Sequence, residues 1–500
     1  ATCTEEGEQQ RICKNCEEIE TKIIQAKGHD FNDSNTCAIC GYNLEYTANL
    51  EYTLQNGTYT VTGKGRADLS ESLIIPKYYD GRLVTRISER AFENCSDLKN
   101  VYIPDSITSI GDYAFNGCAI ENVYISDLSA WCAITFGSFS SNSNPLCSGA
   151  NLYLNNQLVT ELIIPNGVTA IKNYAFAGCI SIASVFLPDS ITSIGTGAFS
   201  ECTNLINIAI SDGLTIISGS AFRNCSSLTD ILMPDSVTSI GMSVFYGCNR
   251  LTSITIPFVG ASNTKNDHAY FGYIFGAFNS DENFERVPKS LKEVVIIGGV
   301  SIEAYAFYKC SSLISITIPS SVTSIGTHAF AGCNNLINVN ITDIAAWCNI
   351  EFDGNYGESR PLKGASLYLN GQLVTELIIP NNVTTIKNYA FGGCVSIKSV
   401  TIPGHVVSIG NQAFSDCINL VNVVIENGVT NIGNNAFLGC CSLTNILIPD
   451  SVVGIAHGAF WGCGSLTGIV IPNGVTSIED SVFRGCASLI NFTVPSSVTS

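Results

Sequence analysis

The chain has 500 residues, of which 46% are apolar and only 13% charged, and a formal net charge of −18 at pH 7. That composition supports a large buried core and puts the surface polarity on Ser, Thr, Asn and Gly rather than on Lys and Glu. The acidic balance argues against nucleic acid and against an anionic membrane surface as partners, and no apolar run reaches the roughly 18 residues that span a bilayer.

The chain opens on ATCTEEG and closes on VPSSVTS. Both ends read as cut, so a fragment of a longer protein is expected, and the missing leader says nothing of location. Residues 1–43 form a separate cysteine-rich unit with Cys3, Cys13, Cys16, His29, Cys37 and Cys40. Its two C-x-x-C knuckles, CKNC and CAIC, stand some twenty residues apart, the spacing of a tetrahedral structural zinc. So short a unit lacks core volume, and a bound metal supplies folding energy instead. The predicted ligands are Cys13, Cys16, Cys37 and Cys40. The set Cys3, Cys13, Cys16 and His29 is a close alternative, and disulfides in an exported module are the rival to metal. A closed thiolate set leaves no position for water, so the predicted role of the zinc is structural.

From 44 to 90 the sequence LEYTLQNGTYTVTG reads as two strands about a Gly turn that cap the open end of a solenoid. From 91 onward one phrase recurs, as in IPDSITSIGDYAFNGC ending at Cys118 and MPDSVTSIGMSVFYGC ending at Cys248. Its phenylalanines are spaced by 23 residues, apart from three gaps of 61 or 62. A fixed period of this size is the mark of a leucine-rich-repeat solenoid, in which stacked coils share one core. Within Leu228–Cys248, Ile231 and Met233 alternate with Asp230 and Leu232 as an inward strand period. Pro234 ends the strand, Val237 and Ile240 point inward again, and Gly241 is expected to make a tight turn. Val244, Phe245 and Cys248 then take the spacing of one inward-facing helical turn.

Thirteen of the 22 cysteines sit three residues after a repeat phenylalanine. Side chains in register point parallel rather than at each other, which disfavours a disulfide ladder. The thiols are predicted to pack as small buried hydrophobes, a habit suited to a reducing or anaerobic setting. Insertions fall near 119–165, 257–299 and 334–380. The first and third are one insertion used twice, carrying Trp131-Cys132 and Trp347-Cys348, then NLYLNNQLVTELIIP and SLYLNGQLVTELIIP. Asn155-Asn156 and Asn370-Gly371 read as hairpin turns. The two tryptophans are expected to anchor the inserts. A Cys132–Cys147 bridge is dispensable, since Lys363 replaces Cys147 in the second copy. The middle insertion, with HAYFGYIFGAF, has no counterpart.

The unit IPSSVTSIGTHAFAGC, within Ile318 to Ile341, resembles the BspA-like leucine-rich-repeat surface proteins of anaerobic bacteria and some protozoa. The resemblance covers about 450 residues, from Leu44 to the end, and rests on Pro, Ile-Gly, Ala-Phe and Cys holding their places together. It implies an extracellular or cell-surface protein that attaches to host matrix proteins or neighbouring bacteria; the predicted partners are a host matrix protein, a bacterial surface protein or a glycan, and the predicted state is a monomer. It supplies no catalytic residue and no defined binding residue, and many members lack the zinc-like leader.

The five histidines, His29, His268, His328, His405 and His457, form no acid-base set, and GxSxG, HExxH, Walker and EF-hand motifs are absent. A binding face is easier to derive, because outward strand positions line up on successive coils about 4.8 Å apart. One column begins Asn100, Asn122, Ser184, Asn207 and Asp230, and the next begins Tyr102, Tyr124, Phe186, Ala209 and Leu232. Tyr102, Tyr124 and Phe186, beside Asn100 and Asn122, are the predicted anchor patch for a protein or glycan.

The predicted fold is a β-rich solenoid of roughly fifteen coils, about 70 Å long if unbroken, with a zinc-ribbon-like unit in front. The predicted function is non-enzymatic recognition. Alternatives are the targeting arm of a larger exported enzyme and a passive surface spacer. Elemental analysis of purified residues 1–43 is expected to find about one zinc per chain; disulfides with no metal would overturn the assignment.

Overall fold

The computed structural model describes residues 46–137, 143–263, 268–353 and 359–499, together with the backbone of the hairpin Gly7–Ile12 and Ile19–Ile24. Cys3, Cys13, Cys16, His29, Cys37 and Cys40 lie outside the described residues. The chain is a β-solenoid of about 18 turns with little helix, in two compact units, Ala1–Leu251 and Thr252–Ser500. The turns outnumber the expected fifteen because the insertions also wind. In the first insertion, strand Asn122–Ile125 pairs in register with the repeat strand Asn100–Ile103 on one side and with Asn151–Leu154 on the other, although Phe-x-x-Cys is missing there.

Each regular coil contributes a longer strand to one face and a two-residue strand to the other. In the first unit Glu161–Ile163, Ser184–Phe186 and Asn207–Ala209 form one parallel ladder. Ala170–Ile171, Ser193–Ile194, Ile216–Ile217 and Ser239–Ile240 form the second. The threonines before the short strands are tied down: Oγ1 of the exposed Thr192 and of the half-buried Thr215 donates to the main-chain carbonyl of the threonine one coil earlier, at 3.1 and 2.9 Å. The two strands expected about the Gly turn are present. Glu51–Gln55 and Thr58–Gly63 form an antiparallel pair about Asn56-Gly57, and the second strand joins the parallel strand Arg82–Ile87.

The core of a coil is its phenylalanine and cysteine. Phe176, Phe199, Phe222 and Phe245 stack face to face at 5.3, 5.5 and 5.7 Å between ring centres, and Phe391, Phe414, Phe437, Phe460 and Phe483 do the same in the second unit. Burying one phenyl ring is worth about 1.5–3 kcal/mol. The main chain locks the register of the stack, since N–H of Phe176 and of Phe199 each donates at 2.8 Å to the alanine carbonyl just before the next coil's phenylalanine.

The thiols do more than fill space. Sγ of Cys202, Cys225 and Cys248 donates to the carbonyl of Phe176, Phe199 and Phe222 on the coil before, at 3.1, 3.1 and 3.2 Å. These weak bonds give the phenylalanine carbonyl a second donor. Cys179 and Cys394 follow an insertion and have no such carbonyl behind them; they pair with the hydroxyls of Ser181 and Ser396 at 3.4 Å. All 17 described cysteines are free, Cys132 and Cys147 among them. Burial pushes the thiols of Cys202, Cys225, Cys417 and Cys440 well above their ordinary value, and that of Cys248 up to about 12.

Two local expectations change. Gly241 does not have a left-handed backbone; a Cβ there would overlap the main chain of Gly219 one coil earlier, so close approach of coils is what requires glycine. The left-handed residues are Ser243 (φ 61°) and Gly247 (φ 78°). They break the stretch around Phe245 into two turns, closed by Tyr246 N–H to Ser243 O and Cys248 N–H to Phe245 O at 3.1 Å, so no regular helix forms.

Trp131 and Trp347 are buried at 2% exposure and donate from Nε1 to the carbonyls of Ala175 and Ala390, at 2.9 and 2.7 Å, which anchors each insert as expected. The hairpins close at Asn155-Asn156 and Asn370-Gly371, all four residues at positive φ. The copies differ beneath the tryptophan. Asn144 donates to the carbonyls of Tyr174 and Ala175 at 2.6 and 3.0 Å. Its counterpart Arg360 is buried, donates to Ser415 Oγ at 2.9 Å and lies over Tyr389. Ala177 of the first copy is accordingly Gly392 in the second, because a Cβ would strike the guanidinium. The middle insertion hides a coil of its own: Phe271 N–H donates to Ala306 O at 2.8 Å and its ring lies 5.1 Å from Phe307, so Phe271 takes a place in the phenylalanine stack.

Candidate binding surface

Parallel pairing without offset puts identical repeat positions side by side, so the outward faces of the strands are columns of side chains. In the first unit the column Ser72, Asn100, Asn122 and Asn151 is joined by hydrogen bonds. Nδ2 of Asn122 donates to Asn100 Oδ1 at 3.0 Å, Nδ2 of Asn151 to Asn122 Oδ1 at 3.2 Å, and Nδ2 of Asn100 to Ser72 Oγ at 3.4 Å. Two residues on, Tyr102, Tyr124 and Tyr153 stack with ring centres 4.3 and 4.7 Å apart and planes 9° and 21° from parallel. The ladder ends at the hairpin strand Gln157–Leu158, where Leu158 pairs with Tyr153.

The predicted patch is therefore divided. Tyr102 and Tyr124 touch, with Asn100 and Asn122 beside them, but Phe186 belongs to the next ladder, between Ile163 and Ala209. Tyr153 replaces it as the third member of the aromatic stack. It escapes the 23-residue period because it lies in the insertion, yet the alternating NLYL around it carries a strand signal of its own. The second unit has the same column positions without the aromatics: Thr317 and Asn340 stand where Tyr102 and Tyr124 do, and only Tyr368, the counterpart of Tyr153, remains.

Stacking decides what the tyrosines offer. Each inner ring face is covered by its neighbour, so the rings present edges and hydroxyls outward. Burial, followed by the neighbouring phenols of Tyr102 and Tyr153, raises the ionisation of Tyr124 above the usual value of 10.0. Elsewhere in the first unit, a shallow groove of about 460 Å³ is lined by Thr53, Gln55, Thr60, Arg86 and Thr135. Arg86 is already committed there, to Gln55 Oε1 at 2.7 Å and Thr60 Oγ1 at 3.1 Å. Among the described residues no group of three or more His, Cys, Asp or Glu is placed to hold a metal, and no helix is long and apolar enough to cross a membrane.

The chain matches the model of the BspA type leucine rich repeat region in six copies, over 71–146, 149–272, 280–351 and 364–490. It belongs to that family. Breaks in the match fall inside the three insertions. Among solved structures, a leucine rich cell surface protein of Faecalibacterium prausnitzii A2-165 is 24% identical, covering 90% of this chain and 94% of its own, with a TM-score of 0.30. A leucine-rich repeat protein of Bacteroides ovatus ATCC 8483 is also 24% identical, with 91% and 90% covered and a TM-score of 0.32. The pneumococcal vaccine antigen PcpA is 19% identical, with 83% and 94% covered and a TM-score of 0.25. No curated protein matches.

A raised phenol value means that the folded form holds its proton longer than the unfolded one. The contribution of Tyr124 to stability is thus complete below pH 10 and is lost as the pH climbs through the raised folded value. In ultraviolet titration of the folded chain, Tyr124→Phe should remove one late-ionising phenol and leave those of Tyr52, Tyr59, Tyr270 and Tyr273, which burial also raises. An unchanged number of late-ionising phenols in Tyr124→Phe would contradict the stack.

Proposed function

We propose that the chain is a non-enzymatic recognition protein, at a cell surface or secreted, that adheres to a host matrix protein or a microbial surface protein through the strand face of its first unit. The observation that carries this proposal is the tyrosine stack set beside the hydrogen-bonded asparagine column. Repeat solenoids use such extended faces for binding, and tyrosine is enriched at the centre of protein interfaces because it joins a large apolar body to a polar tip. Edge-on rings favour a protein partner over a glycan, since a sugar ring stacks on an aromatic face and the inner faces are taken. The family likeness supports an extracellular or surface location, and the zinc proposed for Cys13, Cys16, Cys37 and Cys40 would hold the leading unit together without chemistry of its own.

Immobilised matrix proteins and glycans, probed with the full chain, test the proposal. A protein partner is expected, with Tyr102→Ser, Tyr124→Ser and Tyr153→Ser together weakening binding about tenfold or more. Unchanged binding by that variant removes the patch. A wild-type chain with no partner in the panel argues for the spacer instead.

A further inference from the structure

Beyond the tyrosines, the first unit exposes an apolar stripe that packing leaves uncovered. Ile163, Phe186 and Ala209 stand in register on paired strands, and Leu232 holds the same repeat position one coil on, in the strand that opens the next ladder. Ile163, Phe186 and Leu232 are 62%, 42% and 67% exposed. Three residues beyond Phe186, Ala209 and Leu232, in the turns that follow those strands, stand Asp189, Asp212 and Asp235, all exposed and on consecutive coils. Glu161 and Asp230 flank the two ends of the stripe. None of these five carboxylates forms an ion pair with a described residue; Asp230 accepts a hydrogen bond from Thr229 Oγ1 at 2.8 Å. Between 161 and 240 the only cations are Lys172 and Arg223, and Arg223 is drawn over the ring of Tyr246.

The second unit acts as an internal comparison. Its apolar column recurs as Ile378, Thr401, Val424 and Leu447. The positions that match Asp189, Asp212 and Asp235 are Gly404, Asn427 and Asp450. The acidic rim is a property of one copy of the stripe, not of the repeat.

We propose that the stripe Ile163–Phe186–Leu232 with its aspartate rim docks a polypeptide that presents apolar side chains beside lysines or arginines. This rests on the recognition reading and narrows the partner by chemistry. The apolar column gains by desolvation against the partner, while the unpaired carboxylates attract and orient its cations. The same rim repels nucleic acid, anionic lipid and sulfated glycan.

The test uses the full chain and three synthetic peptides of equal length, built from leucine and lysine, from leucine and glutamate, and from serine and lysine, with binding read by fluorescence anisotropy. The leucine-lysine peptide is expected to bind, to weaken as salt is raised, and to bind about tenfold more tightly than the other two. Asp189→Asn, Asp212→Asn and Asp235→Asn together, and separately Ile163→Ser with Leu232→Ser, should each weaken it about tenfold. A charge-matched control in the second unit, Glu293→Gln with Glu376→Gln and Asp450→Asn, should change it less than about twofold. Circular dichroism confirms that each variant is folded. Equal weakening by the control, equal binding of the serine-lysine peptide, or no binding of the leucine-lysine peptide overturns the inference. Tyr102→Ser with Tyr124→Ser, run against the matrix panel, separates the two proposals: a partner lost there, while the peptides ignore the aspartates, removes the stripe and leaves the tyrosine stack standing.

Discussion

Every feature of this chain depends on successive coils lying in register at the turn that carries phenylalanine. There a main-chain N–H reaches the next coil's carbonyl, a phenyl ring covers the next phenyl ring, and a thiol returns to the carbonyl of the coil before. The three contacts fix the same relative position of the coils, so a slip would break all of them together. Glycines such as Gly241 and Gly410 belong to the same constraint, because a side chain there would drive the coils apart. Each coil buries its apolar edge only against a neighbour, which is why the sequence must repeat.

That register is also what turns a repeated sentence into a surface. Outward residues gain nothing from the core and are free to differ, yet their neighbours across coils are set in advance. The first unit uses this freedom to stack Tyr102, Tyr124 and Tyr153 and to line up Asp189, Asp212 and Asp235. The second unit keeps the framework and puts Thr317, Asn340, Gly404 and Asn427 at the matching places. Two copies with one scaffold and different faces are what a binding protein gains from duplication, and the exchange of Asn144 and Ala177 for Arg360 and Gly392 shows that even the buried inserts have diverged as pairs.

Much of this is legible in the sequence because the Phe-x-x-Cys mark is simple and recurs without change in spacing. Phenylalanine period, free thiols, strand columns, hairpin turns and the anchoring tryptophans all derive from it and from elementary turn chemistry. What escapes lies off the period. Phe271 enters the stack from an insertion with no repeat phrase around it, and Tyr153 extends the aromatic ladder from a hairpin strand. The separation of Phe186 from the tyrosines is invisible too, since counting residues does not reveal that an insertion ends one ladder and Glu161 begins another. Gly241 is misread for a similar reason. A glycine required by a neighbouring coil and one required by its own backbone look alike in a single sequence.

Site-resolved thiol labelling of the native chain tests the sealed seam most directly. Cys441 is the one described cysteine that is exposed, whereas Cys179, Cys202, Cys225, Cys248, Cys417, Cys440 and Cys463 are buried. Mass spectrometry after brief alkylation should find Cys441 modified and those seven untouched until the chain is denatured. Labelling of the seven at the rate of Cys441 would mean that the coils do not close on one another as described.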